Sequence, residues 1–198
     1  MTKNDDNRQR IGDAALRLFG DRGYAKTSIG DIAKEAGLLK GNLSYYFKTK
    51  AEMLEWVTEA RKEELFGRIN ADLQPDASAP ECLTQFLNAV ERSAPELARV
   101  GCPVGTLCSE LSKDDPDLQP YAARILEGLH VWLTQQFGRL VPEQEAQAHA
   151  EYLLALAQGA ALLAHAYRDP AVVLRQIAHA RLWLQTIVAG TEAHDDKK

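Results

Sequence analysis

TSIGDIAKEAGLLKGNLSYYF, Thr27 to Phe47, is the stretch on which the reading of this chain turns. Thr27-Ser28 supplies the small hydroxyl side chains that accept hydrogen bonds from a helix's first N–H groups. Ile29, Ile32, Ala33 and Ala36 then recur at helical spacing and define one inward face. Ala36 lets a neighbouring helix come close, and Gly37 permits a tight turn. A second short helix follows from Lys40, with Leu43 and Phe47 four apart as its core anchors. Its outer face is left with Lys40, Gly41, Asn42, Ser44, Tyr45 and Tyr46. Two short helices joined by a Gly-bearing turn form a helix-turn-helix pattern. Small and polar groups on the outer face are what a helix needs to enter a DNA major groove. Lys48 and Lys50 sit just beyond, where positive charge meets phosphates. The plainer alternative is a pair of amphipathic core helices. Lys40-Gly41, the paired tyrosines and the trailing lysines on one face weigh against it.

Working outward, residues 8–22 place Ile11, Ala15, Leu18 and Phe19 on one helical face, with Asp6 or Asn7 as its cap and Gly23 as its stop. From Lys50 a long helix runs through Met53, Leu54, Val57 and Leu65 and fades near Leu73. Gln74 to Pro80 is a polar, Pro-bearing connector. Beyond it the periodicity predicts helices over 80–98, 103–112, 116–140, 142–168 and 170–189. Pro142 and Pro170 suit first turns, and Asp169 suits a cap. Thr191 to Lys198 is a charged tail expected to fray. Nothing reads as a strand, so the expected fold is all-α with about nine helices.

The chain has 198 residues, 45% hydrophobic and 26% charged, with a net charge of -5. That total hides an asymmetry. Residues 1–50 hold ten Lys+Arg against six Asp+Glu, or +4, and residues 51–198 hold thirteen against twenty-two, or -9. A basic head on an acidic body places any nucleic-acid contact in the first 50 residues. The longest apolar stretch, Tyr152 to Tyr167, is broken by Gln158, Gly159 and His165, which argues against a membrane span. The polar N-terminus lacks the apolar core of a secretory signal. Cys82, Cys102 and Cys108 have no metal-like spacing and fit a reducing compartment, so the expected location is the cytoplasm.

Residues 8–55 resemble the DNA-binding domain of TetR-family transcriptional regulators. The resemblance is carried by Ala14-Ala15-Leu16-Arg17-Leu18-Phe19, Gly23-Tyr24, Thr27-Ser28-Ile29, Asp31-Ile32-Ala33, Glu35-Ala36-Gly37 and the run from Lys40 to Lys50. It implies a homodimer, not an enzyme: a helix-turn-helix domain over 1–50 and a helical effector-binding and dimerisation domain over 51–198. Most such proteins are repressors released from a palindromic double-stranded operator by a small molecule, and no cofactor is implied. Thr27 or Ser28 would touch a phosphate through hydroxyl or helix-end N–H groups. Lys40, Asn42 and Tyr45 would meet base edges, with Gly41 allowing close approach and Ser44 on the same face. Tyr46, Lys48 and Lys50 would hold phosphates. Leu39, Ser44 and Gly30 depart from the commonest family residues at their positions, so no relative's operator sequence carries over.

In the acidic part, Gly101-Cys102-Pro103-Val104-Gly105-Thr106-Leu107-Cys108-Ser109-Glu110-Leu111 is the most unusual segment. Resemblance makes it the helix linking the effector pocket to the DNA-binding domain through the long helix 50–72. Cys102 stands near a helix N-terminus, where a thiolate is favoured. This opens a redox- or electrophile-sensing alternative, against the plain reading of a small buried residue. Six residues from Cys108, it is poorly placed for a disulfide. Candidate effector-lining residues are Trp56, Phe66, Phe86, Cys102, Leu107, Tyr121, Leu129, Trp132 and Phe137, with His130 and His165 as polar handles. Each has ordinary core packing as its alternative. Ala155, Ala157, Gly159, Ala160, Ala161 and Ala164 give 142–168 a small-residue surface that, with 170–189, would build the dimer interface. A Cys102-dependent enzyme or a helical interaction protein stands as an alternative class. No phosphate loop, metal motif or acid/base pair supports catalysis.

Overall fold

The computed structural model describes residues 3–114 and 117–195, and these form helices and connecting turns without a strand. The helices are α1 (Lys3–Arg22), α2 (Ile29–Glu35), α3 (Lys40–Tyr46), α4 (Lys50–Asn70), α5 (Ala79–Arg92), α6 (Ala94–Val100), α7 (Pro103–Asp114), α8 (Gln119–Phe137), α9 (Glu143–Tyr167) and α10 (Ala171–Asp195). Among the described residues, no helix is long and apolar enough to cross a membrane.

Local chemistry accounts for most boundaries. Gly23 (φ 85°) and Gly37 (φ 68°) take the left-handed backbone that ends α1 and α2. Ser28 caps α2 in a capping box with Asp31, and Ser78 caps α5 in one with Glu81. In both, the serine's bonds hold the carboxyl below the usual carboxylate range. Asp169 Oδ1 accepts from Ala171 N at 2.9 Å, the cap expected for α10. Four helices differ from expectation. α8 ends at Phe137, short of the expected 140, and the start expected at 116 lies outside the described residues. α1 starts at Lys3, so Asp6 and Asn7 lie inside it, where Asp5 and Asp6 favour its positive N-terminal end. The single helix expected over 80–98 is two, α5 and α6. Pro95 has no N–H to continue the ladder, and Ser93 ends one helix while opening the next. α10 continues to Asp195, past the frayed end expected at 191, and residues 196–198 lie outside the described set.

The Cα positions cluster into two compact units: Met1–Glu64 with Pro103–Leu126, and Leu65–Cys102 with Glu127–Lys198. The first has a core of Ile11, Ala15, Phe19, Ile32, Leu43, Phe47, Leu54, Val57 and Leu111. The second is built on Leu83, Phe86, Leu87, Leu129, Leu133, Phe137, Leu153, Val173 and Ile177. Neither follows a cut at residue 50. α4 up to Glu64 and the whole of α7 pack with the helix-turn-helix, and the division falls inside α4 and α8.

Candidate nucleic-acid interface

In the first unit, α1 supports α2 and α3 through Ile11, Ala14, Ala15 and Leu18 against Ile32, Ala33, Leu43 and Phe47. Burying Leu43 and Phe47 fixes which face of α3 looks outward. That face is the one the sequence pointed to: Lys40, Gly41, Asn42, Ser44 and Tyr45 are exposed, and Tyr45 is 70% exposed. Beyond its chain neighbours and its own helix backbone, a Cβ built on Gly41 would meet nothing within 4 Å, so its surface is open to close approach. Leu39, at 76% exposure, makes no side-chain cap, as its type dictates. Ser44 Oγ donates to Gly41 O at 3.2 Å.

Several charged groups hold the motif together. Arg8 Nη1 donates to Tyr46 O at 2.6 Å, and its guanidinium lies 4.4 Å from the Phe47 ring centroid. Asn7 Nδ2 donates to Tyr46 Oη at 2.9 Å, and Arg10 Nη2 donates to Ala36 O at 2.6 Å. α1 therefore satisfies carbonyls at the C-terminal ends of both α2 and α3. These residues gave no sequence signal beyond a polar helix face.

Three expected phosphate ligands have partners within the protein. Thr27 is 1% exposed, and its hydroxyl donates to Gly23 O at 2.8 Å, so it ties α2 to the end of α1 and offers DNA no hydroxyl. Ser28 is exposed, with its hydroxyl committed to the Asp31 cap. Lys50 is half-buried: its Nζ donates to Tyr24 O at 2.5 Å and sits 3.9 Å from the Tyr24 ring centroid. Burial pulls its ammonium below the usual lysine range, with Glu110 acting the other way. Glu110 of α7 accepts from Tyr24 N at 2.9 Å and Ala25 N at 2.7 Å. Lys48 stays exposed, with its Nζ donating to Ser44 O at 3.2 Å. Lys26 and Lys34 are exposed as well.

The candidate effector residues fall into both units. In the first, Trp56 packs against α1 so closely that a Cβ on Gly12 would lie 2.6 Å from its ring atoms. Tyr121 and Leu107 belong to the same core. A small cleft in this unit is lined by Leu16, Phe19, Val57, Arg61, Val104, Leu107 and Ile125. In the second unit Phe86, Leu129 and Phe137 are buried core, and Phe66 meets Trp132 edge-on with centroids 6.4 Å apart. Among the described residues, the buried polar atoms without a hydrogen-bond partner are His130 Nε2, Thr134 Oγ1 and His165 Nδ1, and His130 Nε2 lies 3.7 Å from Glu151 Oε1. Cys102 and Cys108 are half-buried, and Cys82 is buried.

The small-residue stripe is also corrected in part. Ala157, Ala160 and Ala164 are in the second unit's own core, and Ala161 is buried too. On the outer side of α9 lie Tyr152, Ala155, Leu162 and Tyr167, and α10 exposes Leu174 and Leu182.

Residues 11–57 match the profile of the tetR family of bacterial regulatory proteins, and 79–180 match the C-terminal domain of LmrA/YxaF-like transcriptional regulators. An uncharacterized helix-turn-helix regulator from the lacX 3' region of Lactococcus lactis is 30% identical over 83% of this chain and 86% of its own length. The repressor KstR2 of Mycolicibacterium smegmatis is 39% identical over 41% of this chain and 40% of its own length. A TetR regulator structure from Chloroflexus aurantiacus superposes with a TM-score of 0.81 at 23% identity, covering 93% of this chain and 97% of that one, and shares the fold. The α3 face and both matched segments lead to one conclusion: the chain belongs to the tetR family of bacterial regulatory proteins and is a ligand-responsive DNA-binding transcriptional regulator.

Proposed function

We propose that the protein is a homodimeric repressor that binds a palindromic operator through α3 and leaves it when a small molecule enters its helical body. The observation that carries this reading is the outward face of α3, where Lys40, Asn42 and Tyr45 are exposed beside an unencumbered Gly41. Lys40, Asn42 and Tyr45 read base edges. Lys26, Lys48 and the Tyr46 hydroxyl take phosphates, with Lys26 in the place first given to Lys50. Residues 1–50 carry the DNA contacts, and the chain beyond carries the effector site and dimer interface.

Exposed Tyr152, Leu162 and Tyr167 of α9 with Leu174 and Leu182 of α10 support a dimer through these two helices. Apolar positions repeating along one helix side are what a two-fold interface buries. For the effector, the half-buried Phe66–Trp132 pair of the second unit offers an apolar wall. His130 and Thr134, one turn apart on α8, offer polar atoms in need of a partner. The effector fitting these groups is an apolar molecule with one polar head. The matched family favours this ligand-released mechanism over thiol sensing at Cys102.

A gel shift with the DNA flanking the protein's own gene tests the reading. Wild type gives a retarded, salt-sensitive complex, Tyr45→Ala loses it, and Leu162→Glu/Leu182→Glu yields a monomer that binds poorly. A Tyr45→Ala protein that shifts the same DNA equally well overturns it.

A further inference from the structure

The turn between α1 and α2 is an anion nest that already holds its anion. With Gly23 at φ 85°, the next two backbone N–H groups converge on one carboxylate: Tyr24 N on Glu110 Oε2 at 2.9 Å, Ala25 N on Glu110 Oε1 at 2.7 Å. Successive N–H groups on a turned backbone form a concave anion site, and charge-assisted bonds to both oxygens fix the carboxylate's orientation. The seat is tight. A Cβ at Gly23 would stand 2.7 Å from Oε2 and 2.9 Å from Oε1, so glycine is needed for both the backbone and the space.

The same peptide is gripped from a second direction by Lys50 Nζ on Tyr24 O at 2.5 Å. Downstream, the Thr27 hydroxyl bonds Gly23 O and the Ser28 cap starts α2, whose Ile32 and Ala33 share a core with Leu43 of α3. The position of Tyr24 and Ala25 thus propagates through α2 to the reading helix. Glu110 belongs to α7, inside the segment matched to the C-terminal domain of LmrA/YxaF-like regulators, whereas the nest lies in the segment matched to the tetR family profile.

We propose that Glu110 is a positioning residue for operator binding: its carboxylate, seated in the Tyr24–Ala25 nest, holds the helix-turn-helix in DNA-reading register, and its withdrawal releases that register. The assignment rests on the repressor reading above. It makes α7 a direct link to the DNA-binding motif, in addition to the route through α4 that the family resemblance implies.

The test uses the full chain with Glu110→Ala, Glu110→Gln, Gly23→Ala and the Gly23→Ala/Glu110→Ala double variant, and a duplex bound by wild type. Amide exchange and fluorescence anisotropy across a salt series are measured. Glu110→Ala speeds exchange at Tyr24 and Ala25 by about tenfold or more and leaves Leu43 and Phe47 protected. It weakens operator binding by about tenfold without changing the salt slope, because a positioning group is lost and no phosphate contact is. Glu110→Gln, which keeps one acceptor oxygen, falls between. Gly23→Ala, which also strains a left-handed backbone, weakens binding at least as much, and the double variant is no worse than Gly23→Ala alone. Wild-type affinity in Glu110→Ala, or additive losses in the double variant, overturns the assignment. If Glu110→Ala loses protection at Leu43 and Phe47, the near-isosteric Glu110→Gln decides, and its unchanged affinity is the overturning result. Wild type binding no duplex is a separate outcome: it removes the repressor reading and this assignment with it.

Discussion

Lys48 and Lys50, two residues apart, are assigned opposite work, and the pair can be separated by salt. The perturbations are Lys48→Ala and Lys50→Met. Lys50 Nζ makes a bond to Tyr24 O at 2.5 Å and a ring contact at 3.9 Å. A hydrogen bond from a charged donor contributes about 1.5–3 kcal/mol, and a ring–cation contact about 0.5–1 at an exposed site. Desolvation opposes both, as the lowered pKa of the ammonium shows. Because the group is only half-buried, the net loss in Lys50→Met is about 1–2 kcal/mol, or about 2–8 °C in Tm. Its dependence of log K on log salt matches wild type, since no phosphate contact disappears. Lys48→Ala does the reverse. Its side-chain bond to Ser44 O is exposed, so Tm stays within a degree or two. If each protomer's Lys48 neutralises one phosphate, the slope falls by about 1.8. Thermal melts and anisotropy at four or five salt concentrations read both quantities. A Lys50→Met protein with unchanged Tm and a slope reduced by about 1.8 would refute the internal role of Lys50.

Other expectations follow from single contacts. Gly12→Ala forces a methyl to 2.6 Å from the Trp56 ring and destabilises by about 1–3 kcal/mol with a shift in tryptophan emission; an unchanged Tm and spectrum would show that Trp56 is not packed on α1. Ser78→Ala removes the α5 capping box and costs about 1 kcal/mol at neutral pH. Because Glu81's carboxyl is held below its ordinary value in the folded chain, its stabilisation is present above the unfolded pKa and lost as pH falls through the lowered one. The penalty of Ser78→Ala in urea melts should therefore shrink in acid, and a pH-independent penalty would contradict the cap. Arg8→Leu removes the bond to Tyr46 O and should weaken operator binding more than it lowers Tm, a comparison that anisotropy and melting make directly.

What the sequence made legible was local. Gly23 and Gly37 as stops, Ser28 as a cap and Leu43 with Phe47 as anchors are decided within one or two turns, where periodicity and side-chain chemistry act alone. What it hid depended on residues far apart in the chain. Lys50 was read as a DNA ligand because its charge follows α3, and only the folded α1–α2 turn shows a carbonyl and a ring drawing it inward. Thr27 and Ser28 are adjacent hydroxyls with interchangeable sequence signals, yet one is buried on Gly23 O and the other caps a helix. The alanines of α9 looked like a dimer seam, but the protomer's own core takes Ala157, Ala160 and Ala164 and leaves Tyr152, Leu162 and Tyr167 outside. Glu110 lies 86 residues from Tyr24 and no pattern joins them.

Selection of bound duplexes from a random library shows whether a dimer reads DNA through two copies of the α3 face. One enriched, two-fold symmetric motif is expected, with half-sites spaced near a whole number of helical turns of about 10–10.5 base pairs, and it is lost in Lys40→Ala/Tyr45→Ala. Recovery of no motif, of an asymmetric one, or of the same motif with the double variant would contradict it.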